Sequence, residues 1–263
     1  MDISIIFQAL PLWGIFFLVV GLSSLAIEVG TQLGKRYRRR TGAEPLEEIG
    51  AMAAAMLGLL GFVVAVTFGT QQSRFDAYRK LELEEATTIH ATWLRADMLP
   101  DPHRSRIKGL LEEYVRVRIE KVSAANVQEI IEKSEQLQDR IWSESVTATE
   151  LAAERFPREL YMESLTRLVA THENRVAVGI YQRMPPAFSM TLILLTIMTM
   201  GVVGFKGGVS AVSRSGVRMI LVIAFSMLVT LISDLNRPES GLLRTTHQPL
   251  IDVQERMEQF PQN

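Results

Sequence analysis

The sequence predicts an all-α integral membrane fold, with four transmembrane helices and a helical extramembrane domain between the second and the third. Three observations predict it. Apolar residues make up 48% of the 263-residue chain and charged residues only 22%, a balance shifted away from soluble domains. The apolar residues gather in four blocks separated by strongly polar sequence, the pattern of a polytopic protein and not of one globular core. Between the second and third blocks they recur three and four residues apart, as on amphipathic helices; no alternation is long enough for a strand.

The first block, Ala9 to Gly30, is long enough to cross a hydrocarbon core of roughly 30 Å. Asp2 precedes it and the basic run Lys35-Arg36-Tyr37-Arg38-Arg39-Arg40 follows, the reverse of a cleaved signal peptide, so an uncleaved anchor is expected. The second block, Ile49 to Thr70, carries Gly50, Ala54, Gly58 and Gly61, whose spacing gives one helix face where a neighbouring backbone can approach closely. The first two spans thus occupy residues 1–71, with a basic loop at 31–48. The third block runs from Pro186 to Phe205 and the fourth from Gly216 to Leu235, together forming residues 185–236. Gly201, Gly204 and Gly208 repeat the small-residue spacing.

Short basic loops stay cytoplasmic. Five Lys and Arg between residues 35 and 40, and Lys206, Arg214 and Arg218 around the second turn, therefore place both termini and the long central domain outside the cytoplasm.

Residues 72–184 form that domain. Leu81, Ile89, Trp93 and Leu94 make a first apolar stripe, and Ile107, Leu110, Leu111, Tyr114 and Val117 a second, with Asp101-Pro102 between them as N-cap and first helical residue. A third helix is expected over residues 126–142, and a fourth from Pro157 through Ile180. The first should continue out of the second span and the last should run into the third, giving an all-α bundle. Residues 237–263 read as an amphipathic or disordered tail.

Catalytic chemistry finds little support. His90, His103, His172 and His247 lie far apart, without metal-ligand spacing, and read as isolated surface or packing histidines. His90 with Glu84 or Glu85 could share a helix face. No nucleophile elbow, Walker or dinucleotide motif occurs. The chain has no cysteine, which excludes disulfides, thiolate metal sites and a cysteine nucleophile. A net charge of −1 gives no reason to expect a nucleic-acid partner. No catalytic residue, metal or cofactor is expected.

Charged and polar residues at the membrane ends are the remaining candidates. Glu28 is either an ion or proton site or an interfacial acid paired with the adjacent basic run. Asp234 has the same two readings, with Arg237 as its neighbour. Thr67, Thr70, Gln71, Gln72 and Ser73 end the second span, directly before Arg74 and Asp76; such an end can line a watery path or be an ordinary interfacial end.

At Leu60-Gly61-Phe62, Arg74-Phe75-Asp76, Arg79-Lys80, the run Leu94 to Pro100, Arg237-Pro238, Gly241 to Arg244 and Gln248-Pro249-Leu250, the chain resembles a bacterial membrane family termed bestrophin-like. More distantly it is similar to the bestrophin anion channels. That resemblance implies a multi-pass protein of the bacterial plasma (inner) membrane, surrounded by lipid. It implies a homo-oligomeric channel passing small anions through a pore lined by the second span, with Gly61, Phe62, Thr67, Phe68 and Gln71 at the pore. Gly58, from the small-residue face, and Gln72, from the polar end, complete the candidate set. Two features differ from bestrophins: the basic run predicts the opposite orientation, and the aromatic signature after the second span is reduced to Phe75 and Tyr78. The alternative expectation is a non-conducting, membrane-anchored sensor or scaffold acting through the helical domain.

Overall fold

The computed structural model describes residues 11–42, 46–120, 126–151, 158–181, 186–210, 215–236 and 247–259. Among these, all regular structure is helical: α1 (Leu12–Thr41), α2 (Leu46–Arg95), α3 (His103–Ile119), α4 (Val127–Leu151), α5 (Arg158–Val176), α6 (Pro186–Val209), α7 (Ser215–Leu235) and α8 (Gln248–Gln259). A short 3₁₀ turn follows α2 and a π turn, Ala177–Tyr181, follows α5. The chain forms two compact units, one of residues 1–73 and 184–237, the other of residues 74–183 and 238–263.

The first unit contains four helices long and apolar enough to cross a membrane. Its polarity is that of a membrane protein: Trp13, Phe17, Phe62 and Ile220 are 64–69% exposed, while a small core of Ile15, Val19, Leu60, Val64, Leu192, Val229 and Ile232 lies between the helices. Lipid tails are as apolar as leucine, so close packing must hold such helices together. Glycines supply it where α1 crosses α6. A Cβ on Gly204 would meet the Ile27 carbonyl oxygen, one on Gly208 that of Thr31, and one on Gly30 that of Gly201. The Thr31 hydroxyl uses this proximity, lying 2.7 Å from Ile27 O and 3.1 Å from Gly204 O while accepting a hydrogen bond from Arg218 at 3.0 Å.

The basic run departs from expectation. Lys35 to Arg40 is not loop but the last turns of α1, which ends at Gly42 in the left-handed region (φ 61°) with its N–H bonded to Arg38 O. Cations there complement the negative end of the helix dipole, so the run stabilises the helix it was expected to leave. α2 continues without a break from the apolar segment into the second unit. No proline lies between Pro45 and Pro100, and 50 helical residues extend about 75 Å, far beyond one bilayer.

The second unit buries one core from five α-helices, including Ile89 and Trp93 of α2, Ile107 and Leu111 of α3, Ile141 of α4, and Leu165 and Leu168 of α5. Leu94, expected in this core, is 41% exposed on the outer face of α2. α4 runs to Leu151 instead of ending at Trp142. Asp101 does not cap α3, whose N-cap position is Pro102; its carboxylate instead accepts from the side chains of Arg104 and Ser105. The tail is also corrected. α8 belongs to the helical domain: Leu250, Val253 and Met257, spaced three and four apart, are buried in the same core. Arg237 and residues 238–246 lie outside the described residues.

Candidate functional site

Helical geometry sorts the pore candidates on α2. At 100° per residue, Ala53, Leu60, Val64 and Gln71 point one way, and all four are buried against the first unit. The opposite face carries Ala51, Ala55, Gly58, Phe62, Val66 and Gly69, all exposed; Phe62 is 66% exposed, and a Cβ on Gly58 or Gly69 would meet nothing within 4 Å. The seven candidates therefore do not share a face. Gly58 and Phe62 lie on the open one, with Gly61 and Gln72 half-buried at its flank. Gln71 is only 3% exposed, Phe68 packs on the small core, and Thr67 returns its hydroxyl to Val63 O at 2.7 Å. Thr70, on the open side, bonds Val66 O in the same way.

The charged candidates also separate. Glu28 is exposed and accepts from Gln32 Nε2 at 3.2 Å, in place of the expected pairing with the basic run, which begins further along the same helix. Asp234 is 2% exposed. Arg74 donates to the Val178 carbonyl at 3.3 Å, and Asp76 is half-buried.

The most concentrated chemistry in the second unit is a buried ionic cluster that sequence reasoning missed. Glu85, fully buried, accepts from Arg118 through Nε (2.9 Å) and Nη2 (3.2 Å), and from Arg175 Nη1 at 2.5 Å. Tyr114 OH lies 2.8 Å from Glu85 and 3.0 Å from His172 Nδ1, and accepts from Gln138 Nε2 at 3.1 Å. The phenol has a single proton. If it goes to Glu85, His172 must carry its own proton on Nδ1. Arg175 also donates to Tyr78 OH and reaches Glu82, and Glu82 lies 2.6 Å from His247 Nδ1. One cluster thus ties α2 to α3, α4, α5 and the residue that precedes the C-terminal helix.

Its charges balance, two carboxylates against two guanidiniums, as burial demands. Burial alone would raise the Glu85 carboxyl, but Arg118 and Arg175 hold it well below the usual carboxylate range. Glu82 opposes its own burial penalty through the His247 hydrogen bond and the charge of Arg175, and is also held low. The Tyr114 phenol is pushed well above its ordinary value by burial and by the Glu85 charge.

Three of the four histidines are therefore not isolated. His247 and His172 belong to this cluster, and His103 lies 2.7 Å from Glu144. His90 pairs with neither Glu84 nor Glu85; burial and the charge of Arg256 lower its pKa. The cluster had a readable signal, since Glu85 lies on the same stripe as Ile89 and Trp93, where a charge needs a partner. Beside it, between α2 and α5, an open groove of about 400 Å³ is lined by Lys80, Leu83, Glu84, Arg95, Glu163 and Arg167; Arg167 and Glu84 pair across it at 2.9 Å.

Comparison with known proteins gives one family. A profile described as the bestrophin-like domain matches residues 18–250. Solved structures of a bacterial bestrophin homologue from Klebsiella pneumoniae share the fold. A leucine-to-threonine variant aligns with a TM-score of 0.66 at 15% identity, covering 93% of this chain and 96% of that one. An isoleucine-to-alanine variant gives 0.67 at 14%, covering 95% and 98%. No curated protein matches the chain. With four membrane-crossing helices, an all-helical second unit and a family match over most of its length, this multi-pass membrane protein belongs to the bestrophin-like domain family.

Proposed function

We propose that the chain is a homo-oligomeric channel, not an enzyme, that passes small anions along a path lined by the open face of α2. The observation that carries this reading is the unpartnered face itself. Ala51, Ala55, Gly58 and Gly69 keep it thin, so that copies can approach closely, while Phe62 projects from it as a hydrophobic constriction of the kind that gates by dewetting. Membership of the bestrophin-like family supports the reading. Anion preference is supported by charge: between Glu48 and Asp76, α2 carries no carboxylate, and Arg74 is its one charged residue. Of the polar residues at the end of the span, Gln72 borders the path, whereas Gln71 serves packing within the subunit.

Purified protein in planar bilayers under a potassium chloride gradient should give currents that reverse towards the chloride equilibrium potential. Phe62→Ala should raise the single-channel conductance about twofold or more by widening the constriction. A bilayer that stays silent at high protein density would remove the channel reading and leave the anchored-scaffold one.

Orientation is part of the proposal: the basic end of α1 faces the cytoplasm and the helical domain faces outward. The cysteine-free chain makes this simple to test. An impermeant thiol reagent on intact cells should label Gln136→Cys, on the exposed side of α4, and spare Gly42→Cys; the opposite pattern inverts the assignment.

A further inference from the structure

An exposed apolar stripe of α1 leads directly into its basic end. Leu25, Val29 and Leu33 are 61%, 48% and 50% exposed, and Arg36 and Arg40, both exposed, continue the same line. At 100° per residue these five positions fall within a sector of about 80°. Tyr37, 39% exposed, flanks them and packs against Phe205 with ring centroids 5.7 Å apart, as expected of an aromatic anchor at headgroup depth.

Two further cations lie at this end of the first unit. The Arg218 guanidinium lies against Gly207, and the Lys206 ammonium reaches Gly50 near the start of α2. The described acids at this end are Glu47 and Glu48, in the first turn of α2. Among the described residues none of Lys35, Arg36, Arg38, Arg39, Arg40 and Lys206 is in an ion pair. The deeper acid, Glu28, is occupied by Gln32 and lies about 12 Å along the helix from Arg36.

We propose that this stripe is a binding site for an anionic phospholipid. An acyl chain lies along Leu25, Val29 and Leu33, and the headgroup phosphate sits between Arg36 and Arg40, whose guanidiniums can each bond a phosphate through two donors. Charge complementarity selects the occupant: a zwitterionic lipid would fill the apolar part equally well but leave the five cations of the run uncompensated. Each cation near an anionic membrane surface strengthens binding about fivefold.

The test is native mass spectrometry of the full-length protein, released from neutral detergent containing phosphatidylglycerol or phosphatidylcholine. Wild type should retain phosphatidylglycerol in preference. Arg36→Gln/Arg40→Gln should retain about 25-fold less of it, whereas Lys133→Gln, on the other unit, should match wild type. Inorganic phosphate at equal concentration should not displace the lipid, because it lacks the acyl contacts; complete displacement would assign the site to free phosphate and overturn the proposal. Equal retention of both lipids, or undiminished retention by the double variant, would also overturn it. Thermal melting of wild type alone gives an independent reading: phosphatidylglycerol should raise the midpoint above that in phosphatidylcholine, and an equal midpoint counts against the site.

Discussion

Glu85→Gln is expected to destabilise the helical domain by about 3–5 kcal/mol, the usual cost of removing one partner from a buried ion pair. The change is nearly isosteric, so packing stays intact. What is lost is the negative charge between Arg118 and Arg175, which lie 2.9 and 2.5 Å from it. Two guanidiniums then remain buried with only Glu82 as a counter-charge. Because the arginines come from α3 and α5, melting of the whole domain should move, by about 10 °C or more. The control is Glu84→Gln, one residue away on the same helix. Its pair with Arg167 is 66% and 44% exposed and should cost less than about 1 kcal/mol.

The same cluster fixes the sign of the pH dependence. Glu82 and Glu85 are held below the ordinary carboxylate value of 4.5 in the folded domain, so over that interval the unfolded chain binds more protons. Their contribution is fully present above about pH 4.5 and is lost as the pH falls through the lowered values. Circular-dichroism melts should therefore be flat from neutrality to about pH 5 and drop below it. Glu85→Gln should start from a lower midpoint and drop less.

The second large effect is at the α1–α6 crossing. Gly204→Leu should prevent the four-span unit from assembling in native form, because its Cβ would fall on the Ile27 backbone, with Ile27 Cα at 2.8 Å. A backbone cannot yield as a side chain does, and the helices must part. Overpacking in a close-packed interior already costs about 1–3 kcal/mol with side-chain neighbours. Here the Thr31 bond to Gly204 O is lost as well. Gly21→Leu, on an open face of α1 with nothing within 4 Å, should assemble normally. Size-exclusion profiles and protease resistance in detergent distinguish the two.

The membrane architecture was legible because some twenty apolar residues have few alternatives. The continuity of α2 was equally readable, since neither the apolar segment nor the stripe through Ile89 and Trp93 contains a proline. The basic run misled because charge density resembles a loop, while its helical state depends on the Gly42 terminator and the helix dipole. α8 was missed as part of the domain for a different reason. Leu250, Val253 and Met257 show an apolar face, but a pattern does not say whether membrane or protein covers it. The ionic cluster needed partners 33 and 90 residues from Glu85, a separation that helical periodicity does not encode. On the second span, the small-residue spacing found Gly58, but only burial separated Phe62 from Gln71, because the resemblance named both without saying which face each takes.

The most direct measurement of the central claim is thiol block of the reconstituted current, with single cysteines placed along α2. A water-soluble, charged thiol reagent should block current through Phe62→Cys and Val66→Cys channels while leaving Val64→Cys, on the buried face, unaffected. Current that persists unblocked at positions 62 and 66 would contradict a path lined by the open face of the second helix.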